Sequence, residues 1–309
     1  MFLDANLNLA AMKASSSYAA KKDTSMLQSP GEYLLRTMQP ADLSGALALS
    51  SAVNWPHRIE DWQLVASLGH GTVAEDNSGI VGTILWWPFG DDFATLGMVI
   101  VSAERQRRGI GGKLMDTALT QAKERNILLI ATKEGEPLYN AIGFRATGTI
   151  SQHQGKLVNF KPVLPERYQI IRPFVEHDTA NLIALDTDTS GLDRRAMLSA
   201  LLRVGQCLIL ERSGQLDGYA IRRPFGRGCV IGPVVAPGLQ AAQALISSSV
   251  VTQSEDFLRI DTPDDSGLGY WLETSGLPKV GGGTTMVRGN APQPAPGHRI
   301  FTLTNQALG

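Results

Sequence analysis

One segment gathers the residue types that bind a phosphate: Arg105-Gln106-Arg107-Arg108-Gly109-Ile110-Gly111-Gly112, following the apolar run Leu96 to Val101. Ile110, Leu114, Ala118 and Ala122 then recur with helical spacing, so the glycines open a helix. Backbone N–H groups at a helix start lack intrahelical partners and sit at the positive end of its dipole, here beside arginines. Such a turn holds a pyrophosphate. Gly109 and Gly111 have no Cβ to obstruct approach of the phosphates to the backbone. The spacing is neither Gly-x-x-x-x-Gly-Lys-Ser/Thr nor Gly-x-Gly-x-x-Gly, which disfavours nucleoside triphosphate and dinucleotide loops.

Gln106, Gly109 and Gly111 fit the pattern Gln/Arg-x-x-Gly-x-Gly/Ala, and on these residues the chain resembles the GNAT superfamily of N-acyltransferases. The resemblance extends to Leu96–Val101, in the place of the family's splayed strand. It includes the strand-like Ile127–Ala131 and the run from Tyr139 to Gly143-Phe144, similar to the family's Tyr-x-x-x-Gly-Phe. It implies acetyl-CoA as co-substrate, held by Val99, Val101, Gln106, Arg107, Arg108, Gly109, Ile110, Gly111 and Gly112. It also implies that the Val99 N–H polarises the thioester carbonyl and that Tyr139 protonates the departing thiolate, while a neutral amine attacks directly. Four residues before Val99, where some relatives carry a glutamate, stands Thr95. The general base is therefore open among His57, Asp61, Glu75, Asp92 and a water relay. Trp55 and His57, in Asn54-Trp55-Pro56-His57-Arg58, occupy the helix junction that overlies the acceptor pocket in this fold.

The elements that position these residues occur twice. Arg36 and Arg172 stand 136 residues apart, and the same offset relates Asp42 to Asp178, Gly69 to Gly205, Gly82 to Gly218, and Pro88-Phe89-Gly90 to Pro224-Phe225-Gly226. A constant offset over so many positions indicates a duplicated unit. Each copy reads as strand, helix pair and three strands: 32–38, 41–67, 71–76, 79–87 and 93–101, then 168–173, 178–203, 206–211, 216–223 and 228–236. Helix, strand, helix and strand follow in both. The predicted class is α/β with a mixed sheet, as two tandem GNAT-like domains. The expected boundaries are a flexible extension over 1–31, a catalytic domain over 32–155, a linker over 156–166 carrying Pro162 and Pro165, and an accessory domain over 167–309.

The second copy lacks the basic glycine turn, reading Ala236-Pro237-Gly238-Leu239-Gln240 there. Aligning Gly276 with Gly143 puts Leu272 where Tyr139 stands. A degenerate domain could cover a face of the first or lend acceptor-binding groups. The candidates for the second role are Asp186, Asp188 and Asp193, which suit an ammonium, and the strand residues Tyr219, Arg222 and Arg223, whose arginines suit a carboxylate. Gly281-Gly282-Gly283 reads as a flexible turn before a strand from Thr285 to Arg288.

Composition bounds the remaining possibilities. Twenty-eight Lys+Arg against 29 Asp+Glu in 309 residues give a formal charge of −1, so no global field favours nucleic acid or an anionic membrane. Two cysteines, Cys207 and Cys229, fit a reduced cytoplasm, and five histidines form no metal-ligand pattern. No apolar run reaches the roughly 20 residues of a membrane span. The expectation is a cytoplasmic acetyl-CoA-dependent N-acyltransferase, monomer or homodimer, without metal, acting on a small primary amine such as an amino acid or polyamine. The alternatives are acetylation of protein lysines or N-termini, which a long open groove would favour, and a CoA-binding regulator without turnover.

Overall fold

Apolar residues at helical spacing alternate with β-branched runs bounded by Gly, Asn and Asp, and the computed structural model, which describes residues 33–250 and 257–309, turns each run into an element. The predicted extension over 1–31 lies outside the described residues. The first unit contains β1 (Leu34–Thr37), α1 (Leu43–Ala52), α2 (Ile59–Leu68), β2 (His70–Asp76), β3 (Gly79–Phe89), β4 (Phe93–Val101), α3 (Ile110–Ala122), β5 (Asn126–Ala131), α4 (Glu136–Ala141) and β6 (Arg145–Gly155). The second repeats the order with β7 (Gln169–Pro173), α5 (Thr179–Ser190), α6 (Arg195–Val204), β8 (Gln206–Arg212), β9 (Gln215–Phe225), β10 (Gly228–Ala236), α7 (Leu239–Val250), β11 (Leu258–Pro263), α8 (Gly269–Thr274) and β12 (Lys279–Arg288). A last strand, β13 (Arg299–Thr302), has no counterpart in the first unit. No described helix is long and apolar enough to cross a membrane.

The duplication is visible in the hydrogen bonds. Arg36 forks onto Asp42 at 2.7 and 2.8 Å and turns its Nε to Glu75 at 2.6 Å; Arg172 forks onto Asp178 at 2.7 and 2.8 Å and turns its Nε to Glu211 at 2.9 Å. In both units the guanidinium joins the first strand, the start of the helix pair and the second strand. The Tyr139 carbonyl accepts from the Phe144 N–H at 3.0 Å, and the Leu272 carbonyl from the Leu277 N–H at 2.9 Å, which makes Tyr139 and Leu272 equivalent in space.

One sheet runs through both units in the order β1-β2-β3-β4-β5-β12-β6-β11-β10-β9-β8-β7. The units have exchanged their last strands. β12 lies between β5 and β6, and β6 lies between β11 and β12. Gly281, Gly282 and Gly283, predicted as a flexible turn, are instead within β12 opposite Gln152, Ser151 and Ile150. The correction has a steric reason: a Cβ on Gly282 would lie 2.0 Å from the Ile150 carbonyl oxygen, and one on Gly283 2.6 Å from that of Ala131. The helix pairs share a core in which Trp62, Val65 and Trp87 pack in one cluster with Met197, Leu198, Leu201 and Ile209. A second core lies between α7 and β9–β11, around Leu245, Ile246, Ile231 and Ile260. Leu34–Gly309 is consequently a single compact unit.

Candidate active site

The glycine turn is held from below. After β4 a short 3-10 turn at Ala103–Arg105 leads into Gln106, Arg107 with φ +60° and Gly109 with φ +79°, the cap of α3. Arg105 donates to Asp76 at the end of β2 at 2.7 Å, and the Gln106 amide donates back to the Val101 carbonyl at 3.3 Å. Bonds from Ser78, together with Arg105, hold the Asp76 carboxyl down at about 2, so this strut is charged at any physiological pH. Ile110, Leu114, Ala118 and Ala122 are buried as predicted, anchoring α3 on the sheet.

Gly109 needs a left-handed backbone. Gly111 and Gly112 do not, and packing does not demand glycine there either. A Cβ on Gly112 meets nothing within 4 Å, and one on Gly111 meets only the Val101 side chain at 3.9 Å. The bare backbone therefore borders open space, flanked by the exposed Arg107 and Arg108. This is a cradle that fits a pyrophosphate and that side chains would fill.

The cradle lies at one end of a splay between β4 and β5. The two strands pair in parallel only at Phe93–Asn126, Ala94–Ile127 and Thr95–Leu128, then part. Beyond Thr95 no described strand pairs with β4 on that side. The β3–β4 register shifts between Thr83 and Leu85, Met98 takes φ +53°, and the Thr83 hydroxyl holds the Met98 carbonyl at 2.8 Å. This bulge sets Val99 at the turn of the strand, with Gly97, Val99 and Val101 partly exposed.

In the second unit the equivalent cleft is filled. β10 and β11 pair at Cys229–Leu258 and Val230–Arg259 and then part, but β13 enters the gap and pairs with Val234, Val235 and Ala236. The Leu303 N–H bonds to the Asp261 carbonyl at 2.8 Å, and a Cβ on Gly232 would lie 1.8 Å from the Leu303 oxygen. With neither glycine turn nor open splay, this half has no counterpart of the first unit's cradle and cleft.

A cavity of about 310 Å³ opens onto the first splay at Gly97 and Met98. Its wall is built from both units: Asn54–His57, Asp61 and Val65 from the α1–α2 region, Ile130 of β5 and Thr132 just after it, and Gln152 and Gln154 of β6. The second unit adds Phe225, Arg227, Arg259, Gly281, Gly282 and the segment Asn305–Ala307. His57 stands in an aromatic box, its ring centroid 5.8 Å from Trp55, 6.2 Å from Trp62 and 5.7 Å from Phe225. Burial, then Arg259 and Arg223, lower its pKa to about 4. It is neutral at pH 7, and its buried Nδ1 has no hydrogen-bond partner among the described residues. Asp61 is buried and accepts from Arg58 at 2.9 and 3.2 Å. Glu75 is paired with Arg36 and Asp92 is an exposed turn residue. Neither lines the cavity.

Of the other acceptor candidates, Trp55 lines the cavity beside His57, while Asp188, Tyr219 and Arg222 do not. Asp188 is exposed. Tyr219 is fully buried against Asp186, which also takes a fork from the buried Arg194. Arg222 lines a separate cleft near Phe174 and Cys207. Alternation along β9 puts Arg222 on the opposite face from Phe225, whereas Tyr219 shares the face of Phe225 but is buried in the core common to both units, and Asp188 lies on α5. Tyr139 is buried on α4, near Thr132 through Gly135, and burial alone raises its phenol to about 12.

The wall residues not foreseen include Phe225, Arg227, Arg259, the β6 glutamines and the segment Asn305–Ala307. One signal was present, the repeated Pro-Phe-Gly. Each copy forms the turn after the third strand of its unit and reaches the helix junction of the other: a Cβ on Gly226 would lie 3.0 Å from the Pro56 carbonyl oxygen, and one on Gly90 3.5 Å from Cβ of Asp193.

Two family models for an acetyltransferase (GNAT) domain match the chain, at residues 67–146 and 182–302. An uncharacterized N-acetyltransferase of Bacillus subtilis (strain 168), YitH, is 30% identical over 228 residues, covering 72% of this chain and 79% of that protein. The fold is similar to that of a Pyrococcus horikoshii protein assigned as an acetyltransferase, with TM-score 0.74, 19% identity, and 92% of this chain and 98% of that chain covered. It is also similar to a tandem GNAT protein from the clavulanic acid biosynthesis pathway, with TM-score 0.62, 14% identity, and 83% and 98% covered. With its glycine cradle, splayed β4 and duplicated architecture, the chain belongs to the GNAT acetyltransferase family and is an acyltransferase with two such domains in tandem.

Proposed function

We propose that this protein transfers an acetyl group from acetyl-CoA to the primary amine of a small molecule bound in the cavity between the two units. The observation that supports it is one of placement: the cavity meets the bulged edge of β4 at Gly97 and Met98, where the splay from the glycine cradle ends. The cradle and Arg107–Arg108 hold the pyrophosphate. Pantetheine follows β4, bringing the thioester to Val99. The Val99 N–H donates to the carbonyl oxygen as it becomes an oxyanion.

The amine nitrogen forms the new C–N bond, the C–S bond breaks, and one proton must leave the nitrogen while the sulfur acquires one. Tyr139 keeps its proton at neutral pH because its phenol is raised to about 12, and it donates to the departing thiolate. His57 Nδ1, neutral and unpartnered, accepts a hydrogen bond from the incoming nitrogen and passes the proton to solvent. A walled cavity of about 310 Å³ suits a small acceptor better than a protein segment, which needs an open groove.

Thiol release from acetyl-CoA, measured against a panel of amino acids, polyamines and peptides, tests this reading. Acceptor-dependent release in the wild type, lost in Gly109→Asp, is expected. Release with peptides alone, or acetyl-CoA affinity unchanged in Gly109→Asp, would overturn it.

A further inference from the structure

The cavity wall is unequal in charge. Arg227 and Arg259 line it, and Arg223 lies immediately behind, 2% exposed. The Arg223 and Arg259 guanidiniums lie 4.8 and 5.2 Å from the centroid of the Phe225 ring, the same ring that boxes His57. Two carboxylates of the described residues are near, and both are engaged. Asp61 accepts from Arg58 and from the Gly226 N–H at 2.9 Å, while Asp261 accepts from Arg259 at 2.9 and 3.1 Å and from Gln306 at 2.9 Å.

Among the described residues, neither Arg223 nor Arg227 is paired with a carboxylate. Among the described residues Arg223 donates to the Thr304 carbonyl at 3.2 Å, and its buried Nε has no partner there. Burial, with Arg259 and Arg58 nearby, lowers it to about 10 against the opposing pull of Asp61 and Asp261. Arg227 is exposed at the rim, its guanidinium 6.0 Å from the Phe257 ring. His57 adds no negative charge. A dication or polyamine entering this site would meet positive charge that no described carboxylate balances, in a partly desolvated space, whereas an anion would relieve it.

We propose that the acceptor is an amine carrying a carboxylate, with the carboxylate held at Arg227 and the amine directed past His57 to the β4 edge. The second unit is then the source of acceptor specificity, through the β9–β10 turn that places Phe225 and Arg227. Arg227 is suited to the task because an exposed guanidinium that pairs with no carboxylate among the described residues can take one in a fork. This assignment rests on the acetyl-transfer reading above and deepens it.

Two measurements test it. The first is binding to the CoA-loaded protein, by calorimetry, of glycine, β-alanine and γ-aminobutyrate against glycinamide, β-alaninamide and putrescine. The second is acetyl-CoA thiol release with the same panel. At least one carboxylate should bind and react better than its amide and than putrescine. Arg227→Gln should remove that preference by raising the acceptor Kd and KM about tenfold or more, with acetyl-CoA KM unchanged. Arg227→Lys should recover part of it, and Arg227→Glu should turn the preference toward putrescine. Arg227 is an exposed turn residue, so these variants fold, and unchanged melting verifies it. Equal or better use of amides or putrescine, or a carboxylate preference indifferent to Arg227, overturns the proposal and leaves acetyl transfer standing. If no amine is acetylated, the calorimetry still decides: Arg227-dependent carboxylate binding supports the site, and none overturns it.

Discussion

The Asp61 carboxylate, at the start of α2 in the first unit, accepts a 2.9 Å hydrogen bond from the Gly226 backbone N–H in the β9–β10 turn of the second. The same oxygen takes the Arg58 N–H at 2.9 Å, so one buried carboxylate closes the α1–α2 junction and fastens the other unit to it. Burial opposes its charge, while bonds from Arg58 and Gly226 outweigh burial and leave its pKa below the ordinary carboxylate value. Its stabilisation is present above the unfolded carboxyl pKa and is lost as pH falls through the lower folded value.

Asp61→Ala leaves the Gly226 N–H and the Arg58 guanidinium without this acceptor. It should cost about 2–4 kcal/mol by denaturant unfolding and raise acceptor KM more than acetyl-CoA KM. Equal stability in the variant would show that the two units do not depend on this joint.

Gly112→Asp separates binding from folding. An aspartate in the first turn of α3 favours the helix by about 0.3–1 kcal/mol and meets no protein atom, yet its charge opposes a pyrophosphate. Melting temperature should hold or rise, while acetyl-CoA affinity measured by calorimetry falls more than tenfold.

Tyr139→Phe retains the ring packed on Phe144 at 5.8 Å and removes only the hydroxyl. A fall of about a hundredfold in kcat, with acetyl-CoA KM unchanged, is expected of a lost general acid. Unchanged turnover would remove Tyr139 from the chemistry.

His57 titrates near 4 in the folded protein instead of 6.5. Between those values the unfolded chain binds a proton that the folded one excludes, so stability rises with pH across that window and is lost on acidification through it. The effect is about 2–3 kcal/mol in the wild type. His57→Phe should show a shallower loss from pH 6.5 to 4 in thermal melts, and a parallel slope in the two proteins would contradict the assignment.

Strand exchange predicts the fate of a fragment. Residues 33–155 alone lack β12, which pairs with both β5 and β6, and would expose two unpaired strand edges. That fragment should aggregate or melt without cooperativity, whereas the whole chain should unfold in a single transition by circular dichroism. A soluble, cooperative fragment would show that β6 can pair with β5 directly.

The amino-acid sequence by itself determined the features set by near neighbours in the chain. The duplicated order of elements was legible because Arg36, Asp42 and Glu75 recur at a constant offset and rebuild the same ion pairs. The glycine cradle was legible because a positive φ, a helix start and flanking arginines lie within eight residues. Tertiary structure alone decided which unit each last strand joins. A strand alternates its side chains in the same way whichever neighbour it pairs with, so β6 and β12 carry no local mark of the exchange. The same holds for the cavity walled by both units. Arg227 and Arg259 lie far along the chain from His57 and reach it only because the Pro-Phe-Gly turn of one unit packs on the helix junction of the other. Asp188, Tyr219 and Arg222 share that unit's composition but do not line the cavity: Asp188 is exposed on α5, Tyr219 is sealed in the shared core, and Arg222 faces another cleft, placements settled by packing and not by residue identity.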